Sequence, residues 1–199
     1  MSTSSNKQRQ SADLTVTQVL LARITALEAE NQLLQHQVNT DELTGLYNRR
    51  GFHRTLAQEW RRCTRRKEPL SLILTGVDHF KFYNESKGRA GGDMLLRHLA
   101  RDFMDISKRA GDSLARCGGD EFVCILPDTG LEGASGLAEK MRIHSNLLGI
   151  SISVGVASQV PQQDEDPSVL VEAVETALIK AKQQGRNRVA VAASSCPSN

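Results

Sequence analysis

Gly118-Gly119-Asp120-Glu121-Phe122 places two glycines and two carboxylates between segments that have the apolar character of strands, including the run 123–126. Glycine adopts positive φ angles and lets a ligand approach the backbone closely, so this stretch predicts a tight hairpin turn with acidic side chains at its tip. Carboxylates beside such a turn suit a hard divalent cation and the phosphates that it carries. The alternative is a surface hairpin with solvated acids, and agreement with distant segments decides against it.

Apolar periodicity on both sides of this turn alternates between helical and strand patterns. Residues 52–67, 91–108, 132–147 and 168–184 predict helices, and residues 70–77, 150–157 and 188–192 predict strands in addition to the hairpin. Alternating helices and strands around an antiparallel hairpin predict an α/β fold of the α+β sandwich type. In this fold a central mixed β-sheet is covered by helices.

The first forty residues differ from the rest of the chain. Residues 1–12 are polar and rich in Ser and Gln, which predicts a disordered N-terminus. Residues 13–39 contain no Pro or Gly and predict a coiled-coil helix for signalling and dimerisation, with these residues at heptad positions a and d: Leu20, Ile24, Leu27, Asn31, Leu34 and Val38. Asn31 at an a position favours a parallel two-stranded coil, and a single amphipathic helix packed on its own domain is the alternative.

Residues 40–192 form the predicted main domain, and residues 193–199 form a flexible tail. Asp41 is predicted to cap the short turn that follows the long N-terminal helix.

Composition limits the possible classes of function. The 199 residues are 39% hydrophobic and carry a net charge of +2 with acids and bases mixed, so charge indicates neither nucleic acid nor membrane as a partner. No signal peptide is visible and no stretch approaches the ~20 apolar residues that span a bilayer, which predicts a cytoplasmic protein. The four cysteines show neither metal-ligand spacing nor a disulfide pattern, so we expect reduced thiols.

Several motifs follow one another in a fixed order over residues 41–189. They are DELTGLYNRR (41–50), DHFK (78–81) with Asn84, Gly88 and Gly92-Asp93, the acidic turn, SISVGV (151–156), and Ala177-Leu178 with Ala181-Lys182 and GRN (185–187). In this order and spacing they resemble the GGDEF family, the diguanylate cyclases. The resemblance implies a palm-like sheet similar to that of class III nucleotide cyclases.

The resemblance also implies a reaction, in which two GTP molecules condense to cyclic di-GMP and release two pyrophosphates. A 3′ hydroxyl attacks an α-phosphate, and Mg²⁺ or Mn²⁺ neutralises phosphate charge and helps the hydroxyl lose its proton. Because each domain of the family holds one GTP, two domains must face each other as a homodimer, in a geometry that the N-terminal helix would set. Any input signal would then arrive through a regulatory protein that binds this helix.

The resemblance assigns roles residue by residue. It implies guanine binding by Asn84 and Asp93, phosphate binding by Lys182, Arg186 and the backbone amides around His79-Phe80-Lys81, and catalysis at Gly118, Gly119, Asp120 and Glu121. His79 itself is expected to act as a spacer. Metal ligands would be the Asp120 carboxylate and the Val77 backbone carbonyl. Arg109 and Asp112 match the family's R-x-x-D motif, at which cyclic di-GMP binds as an inhibitory product.

One position departs from the family pattern. The family's D-x-D-x-F-K motif stands here as residues 76–81, GVDHFK, so the first Asp, which binds both metals in the family, is Gly76. Asp78 shares a strand face with residue 76 but lies roughly 6–7 Å further along, too far to replace the missing acid without rearrangement. The loss should weaken Mg²⁺ loading severely, because Mg²⁺ requires near-ideal octahedral geometry.

Two functions therefore stay open. The chain is either an active diguanylate cyclase with a weakened metal site, or a catalytically degenerate domain that binds GTP or cyclic di-GMP and signals through its coiled coil. A purely structural dimeriser is a third interpretation, which the intact guanine and phosphate positions disfavour.

Overall fold

The computed structural model describes residues 38–192 and, before them, residues 18, 20, 21, 23–25 and 27. The chain divides into two units, Met1–Val38 and Asn39–Asn199. In the first unit every described residue is helical, and the apolar side chains of Leu20, Ile24 and Leu27 are each about half exposed. The predicted disordered N-terminus, the predicted C-terminal tail, and Asn31 and Leu34 of the heptad pattern lie outside the described residues.

The second unit alternates helices and strands as the periodicity predicts. In chain order its elements are α1 (Arg49–Arg66), β1 (Leu70–Val77), α2 (Phe80–Ile106), β2 (Ser113–Gly118), β3 (Glu121–Pro127), α3 (Leu131–Leu147), β4 (Ile152–Gln159), α4 (Ser168–Gln183) and β5 (Val189–Val191).

These elements form one mixed sheet in the order β2-β3-β1-β4-β5. Strand β1 is antiparallel to both β3 and β4, and β4 is parallel to β5. Every residue of β1 is buried, which explains its nearly continuous apolar sequence. One face of the sheet packs on α2 and α3, the other on α1 and α4. The prediction of a central mixed sheet covered by helices is confirmed.

Helix α2 begins eleven residues earlier than the sequence predicts, at Phe80 instead of residue 91. Gly88 interrupts its helical geometry with φ 75° and ψ 164°, so the element is two helices joined at a kink. The first of them, residues 80–87, leaves Phe82 71% exposed and packs only Phe80 and Tyr83 of its described residues against the core, too few to give a clear helical period. Periodicity therefore detects only the second part, which carries Leu95, Leu99 and Phe103 into the core.

Candidate nucleotide-binding site

The acidic turn is the connection between β2 and β3, as predicted. Gly118 and Gly119 have φ angles of 142° and 53°, values that favour glycine, and the strand register shifts between Arg116 and Gly118. The turn is attached to the end of the central strand, because the Val77 amide donates to the Asp120 carbonyl at 3.4 Å and Gly76 pairs with Glu121. Asp120 and Glu121 thus lie where β1 ends.

Arg116 holds this turn in place, a role that the sequence interpretation missed. Its Nη1 donates to both carboxylate oxygens of Asp41, at 3.0 and 3.1 Å, while its Nε and Nη2 donate to the Gly119 carbonyl at 3.0 and 2.7 Å. Thr44 also donates to Asp41, from its amide and its hydroxyl, so the predicted cap is present. Burial acts to raise the pKa of Asp41, but the hydrogen bonds from Thr44 and Arg116 outweigh it and hold that pKa below its usual value.

Asp78 ties the end of β1 to two other parts of the domain. Its carboxylate accepts hydrogen bonds from the hydroxyls of Ser151 and Ser153, at 2.5 and 2.7 Å, and from the Asn187 amide at 3.0 Å. These bonds connect β1 to β4 and to the loop after α4. Because the carboxylate is committed to them, Asp78 does not replace the acid that is missing at residue 76.

Lys182 lies over Gly76. A Cβ atom at Gly76 would stand 3.0 Å from the Lys182 Nζ and 3.2 Å from its Cε. The same ammonium lies 3.8 Å from the Glu121 carboxylate, across the strand pair. The Lys182 ammonium therefore lies directly beside residue 76, where the family pattern has a carboxylate and this chain has none.

Asn84 and Gly92 meet at the kink of α2. A Cβ at Gly92 would overlap the Asn84 amide oxygen, so the absence of a side chain at residue 92 lets Asn84 pack against its backbone. The Asn84 Oδ1 atom is buried and accepts no hydrogen bond from any residue that the structure describes. Asp93, the next residue after Gly92, is exposed. Asn84 and Asp93, the predicted guanine pair, thus lie on α2 on either side of Gly92, and the amide oxygen of Asn84 is an unsatisfied acceptor among the described residues.

The predicted phosphate contacts surround the start of α2 and the end of α4. His79 is exposed, adopts φ 58° and accepts no hydrogen bond from the helix with its side chain. The first amides of α2, from Phe80 and Lys81, therefore have an acceptor neither within the helix nor from this cap. Beyond α4, Gly185 and Arg186 both have positive φ, and Arg186 is exposed. The Asp78–Asn187 hydrogen bond fixes this second loop beside the first.

The R-x-x-D pair is at the opposite end of the hairpin from the acidic turn. The Asp112 amide donates to the Arg109 carbonyl at 2.9 Å, and the Arg109 Nη1 donates to the Thr129 hydroxyl at 3.1 Å. Burial raises the pKa of Asp112 although Arg109 opposes the shift. Strand β2 separates this pair from the turn by about 17 Å, so the structure does not bring the two predicted sites together.

Comparison with known proteins assigns the fold. Residues 38–188 match the family described as "Diguanylate cyclase, GGDEF domain". The chain belongs to this family. It is 36% identical over 179 residues to the probable diguanylate cyclase DgcC of Escherichia coli. This alignment covers 85% of this chain and 47% of DgcC. It is 35% identical over 187 residues to the response regulator PleD of Caulobacter vibrioides, over 87% of this chain and 40% of PleD. The chain thus spans less than half the length of these curated relatives.

Solved GGDEF structures show the same cyclase palm fold. The coiled coil and GGDEF domain of DgcB from Caulobacter crescentus, in complex with c-di-GMP, aligns with a TM-score of 0.78 at 26% identity, covering 93% of this chain and 98% of that one. Diguanylate cyclase SiaD from Pseudomonas aeruginosa, in complex with its activator SiaC, also has a TM-score of 0.78, at 29% identity over 95% of this chain and 75% of SiaD.

The metal site that the family resemblance implies is incomplete in this GGDEF domain. Residue 76 has no carboxylate, Asp78 is hydrogen bonded elsewhere, and the space beside residue 76 holds the Lys182 ammonium. Within the described ranges, no group of three His, Cys, Asp or Glu side chains is arranged to hold a metal ion. The Asp120 carboxylate and the Val77 carbonyl remain, which is one carboxylate fewer than the family pattern supplies. Without the phosphates of a nucleotide, the residues present do not fit a resident Mg²⁺.

The three cysteines that the structure describes are free thiols. Cys63 and Cys124 are buried free thiols and Cys117 is a half-buried one, while Cys196 lies outside the described residues. Burial raises the pKa of the Cys117 thiol to about 11, which makes it a poor nucleophile. Over the part of the chain that the structure describes, no helix combines the length and apolarity that a membrane crossing requires.

Proposed function

We propose that this GGDEF domain binds GTP, with guanine at the Asn84–Asp93 corner and the triphosphate between the start of α2 and Lys182. The observation that carries the proposal is the buried Asn84 amide oxygen, which lacks a donor among the described residues. A buried acceptor without a donor costs about 1–3 kcal/mol. A rotation of the Asn84 amide toward a ligand that supplies the donor would recover this free energy. The domain would act in bacterial second-messenger signalling through cyclic di-GMP.

The guanine end suits a base that donates hydrogen bonds. The Watson–Crick edge of guanine presents the N1–H and N2–H₂ donors, which match the Asn84 amide oxygen and the Asp93 carboxylate. Adenine presents an amino group and an unprotonated N1 on the same edge, and the Asp93 carboxylate would repel that lone pair. We therefore expect GTP to bind more tightly than ATP.

The phosphate end combines partial and full positive charges. Free amides at the N-terminus of α2 favour an anion, and Lys81, Lys182 and Arg186 supply full charges. Among the residues that the structure describes, the ion-pair partner of Lys182 is Glu121, which is 3.8 Å away and 41% exposed. We expect an incoming phosphate to replace the Glu121 carboxylate as the ion-pair partner of the Lys182 ammonium.

A second candidate function is diguanylate cyclase activity, favoured by family membership and by the presence of Asp120 and Glu121 at the turn. Since each domain has one guanine corner, condensation of two GTP molecules requires a homodimer. The half-exposed Leu20, Ile24 and Leu27 on the N-terminal helix are candidates for its interface. The same helix would receive a regulatory protein, and the Arg109–Asp112 turn would bind cyclic di-GMP.

Equilibrium GTP binding to the purified chain, measured by titration calorimetry, tests the first proposal. Asn84→Ala should weaken GTP binding about tenfold or more, as expected for a lost hydrogen bond to a buried acceptor. Asn146→Ala, which removes an exposed amide from α3, is the matched control and should bind as the parent does. Equal affinities for GTP and ATP, or an unchanged Asn84→Ala variant, would overturn the proposed guanine corner.

Product analysis separates the two candidate functions. The parent chain and Gly76→Asp are incubated with GTP and Mg²⁺ or Mn²⁺, and cyclic di-GMP is quantified by chromatography. Product from the parent establishes the cyclase, whereas product from Gly76→Asp alone establishes a degenerate domain that has lost one carboxylate. Binding of cyclic di-GMP that disappears in Arg109→Ala establishes the R-x-x-D site in either case.

A further inference from the structure

The side-chain space of residue 76 is occupied by a cation from another element of the fold. Gly76 lies on the central strand between Glu121 of β3 and Ser153 of β4, and Leu178 and Lys182 of α4 cover it. A Cβ at Gly76 would press on the end of the Lys182 side chain, at 3.0 Å from Nζ and 3.2 Å from Cε. Any larger residue would therefore displace the ammonium from its present position.

The ammonium is only loosely held by the protein. Its ion pair with Glu121 is 3.8 Å long, and the two side chains are 35% and 41% exposed. Pairs of this kind contribute little to stability, so the cost of breaking this one is small. The other nearby acid, Asp78, is committed to two serine hydroxyls and the Asn187 amide. The Lys182 ammonium is thus available to bind an anion beside the acidic turn.

We infer that Lys182 takes the place of a divalent cation in this domain, so that GTP binds without metal. The inference rests on the proposed binding of GTP. An aspartate at residue 76 would repel a triphosphate, and divalent cations would be required to offset that repulsion. Glycine removes the repulsion, so the Lys182 ammonium can contact the phosphates with no carboxylate at residue 76 beside it.

One further feature supports a metal-free triphosphate site. The amides at the start of α2 lie beside the loop after α4, because Asp78 joins the two through its hydrogen bond to the Asn187 amide. An ammonium and a helix N-terminus on one side of the turn together favour an anion there.

The test is the affinity of the intact chain for GTP, measured once in EDTA and once in excess Mg²⁺. The parent should bind GTP equally in both, within about twofold. In EDTA, Lys182→Met should lose about tenfold or more, the effect expected for a hydrogen bond to a charged group, and Lys182→Arg should retain most of the affinity. Lys180→Met, an exposed lysine of the same helix, is the matched control and should bind as the parent does.

Gly76→Asp provides the reciprocal test, because it removes the space for the ammonium and restores a carboxylate. Its affinity for GTP should fall about tenfold or more in EDTA and recover with Mg²⁺. This variant also decides the outcome if both Lys182 variants fail to fold, as judged by circular dichroism.

Each remaining result contradicts one proposal and not the other. GTP binding by the parent that needs Mg²⁺, or a Lys182→Met variant that binds normally in EDTA, overturns the role of Lys182 and leaves GTP binding intact. Absence of GTP binding under both conditions overturns the proposed function itself.

Discussion

The contact between Gly92 and Asn84 is the single-residue feature on which the proposed guanine binding depends. We predict that Gly92→Ala separates binding from stability. The added methyl group forces the Asn84 side chain to rotate, which moves its amide oxygen away from the corner. Alanine recovers about 0.5–1 kcal/mol of helix propensity, so the free energy of unfolding should change by no more than about 1 kcal/mol. The affinity for GTP should nevertheless fall about tenfold.

Calorimetric GTP titration and urea unfolding of the same preparation measure the two effects. The control is the double variant Gly92→Ala/Asn84→Ala, which should bind GTP no more weakly than Asn84→Ala alone, because both changes act through one amide. Additive losses in the double variant would show that Gly92 acts on GTP through something other than Asn84.

Asp78 shows why a match to a motif does not define a role at the residue scale. Its position beside the missing acid makes it a candidate replacement in the sequence, but its oxygens are already used by Ser151, Ser153 and Asn187. These partners lie 73 to 109 residues away along the chain. The role of this carboxylate is therefore decided by tertiary neighbours that no local pattern reveals.

At the scale of elements, Arg116 joins the turn between β2 and β3 to the segment that precedes α1. We predict that Arg116→Ala lowers the free energy of unfolding by about 2–3 kcal/mol, since it leaves the Asp41 carboxylate and the Gly119 carbonyl without their donor. Arg116→Lys should recover only part of this loss, because an ammonium cannot reproduce the forked contact. Urea unfolding at neutral pH measures both variants.

The pH dependence of stability gives an independent check on this ion pair. The native pKa of Asp41 is below its ordinary value of 3.8, so the pair contributes fully above pH 3.8 and is lost as the pH falls through the lower native pKa. Arg116→Ala should therefore lose less stability than the parent across this acidic window. If the parent and Arg116→Ala lost the same unfolding free energy on acidification, the Asp41–Arg116 ion pair would not be the source of the pH dependence.

Helix α4 is positioned by its close approach to the sheet at Gly155. A Cβ there would overlap the Val174 carbonyl and stand 2.5 Å from the Leu178 amide nitrogen, and neither backbone atom can move without moving the helix. We predict that Gly155→Ala destabilises the domain by about 3 kcal/mol or more. Because α4 carries Lys182, GTP affinity should fall as well.

Gly136→Ala is the matched control for this prediction. Gly136 lies within α3 with open space around it, so alanine should raise the free energy of unfolding by about 0.5–1 kcal/mol. Thermal unfolding of the three proteins measures the contrast. A Gly155→Ala variant as stable as the parent would mean that α4 does not pack this closely on β4.

The elements differ in how far their sequences reveal them. Strand β1 is evident from its apolar run, and the turn from its two glycines, because both signals are local. The first part of α2 is not evident from the sequence, since Phe82 points into solvent and Gly88 breaks the helical period. The role of Arg116 in holding the turn could not be predicted for another reason, because its partner Asp41 lies 75 residues away. A charged, largely buried residue inside a strand was the available signal.

At the scale of the whole molecule, the N-terminal helix and the GGDEF domain should perform separable tasks. The described heptad residues Leu20, Ile24 and Leu27 remain about half exposed in the single chain. Side chains of this size at a and d positions gain about 1.5–3 kcal/mol each on full burial. We expect a second copy of the chain to provide such burial for all of them in register.

We predict that Ile24→Glu/Leu27→Glu converts a dimer into a monomer, because charge at the a and d positions opposes their burial. The GTP affinity of each domain should not change, because the proposed guanine corner lies wholly in the second unit. Sedimentation equilibrium measures the mass, and calorimetry measures GTP binding. Thr25→Glu, an exposed position next to the seam, is the control and should remain dimeric. In the Gly76→Asp background the double substitution should also abolish cyclic di-GMP formation, since condensation needs two guanine corners. A variant that stays dimeric would place the interface elsewhere, on the domain itself.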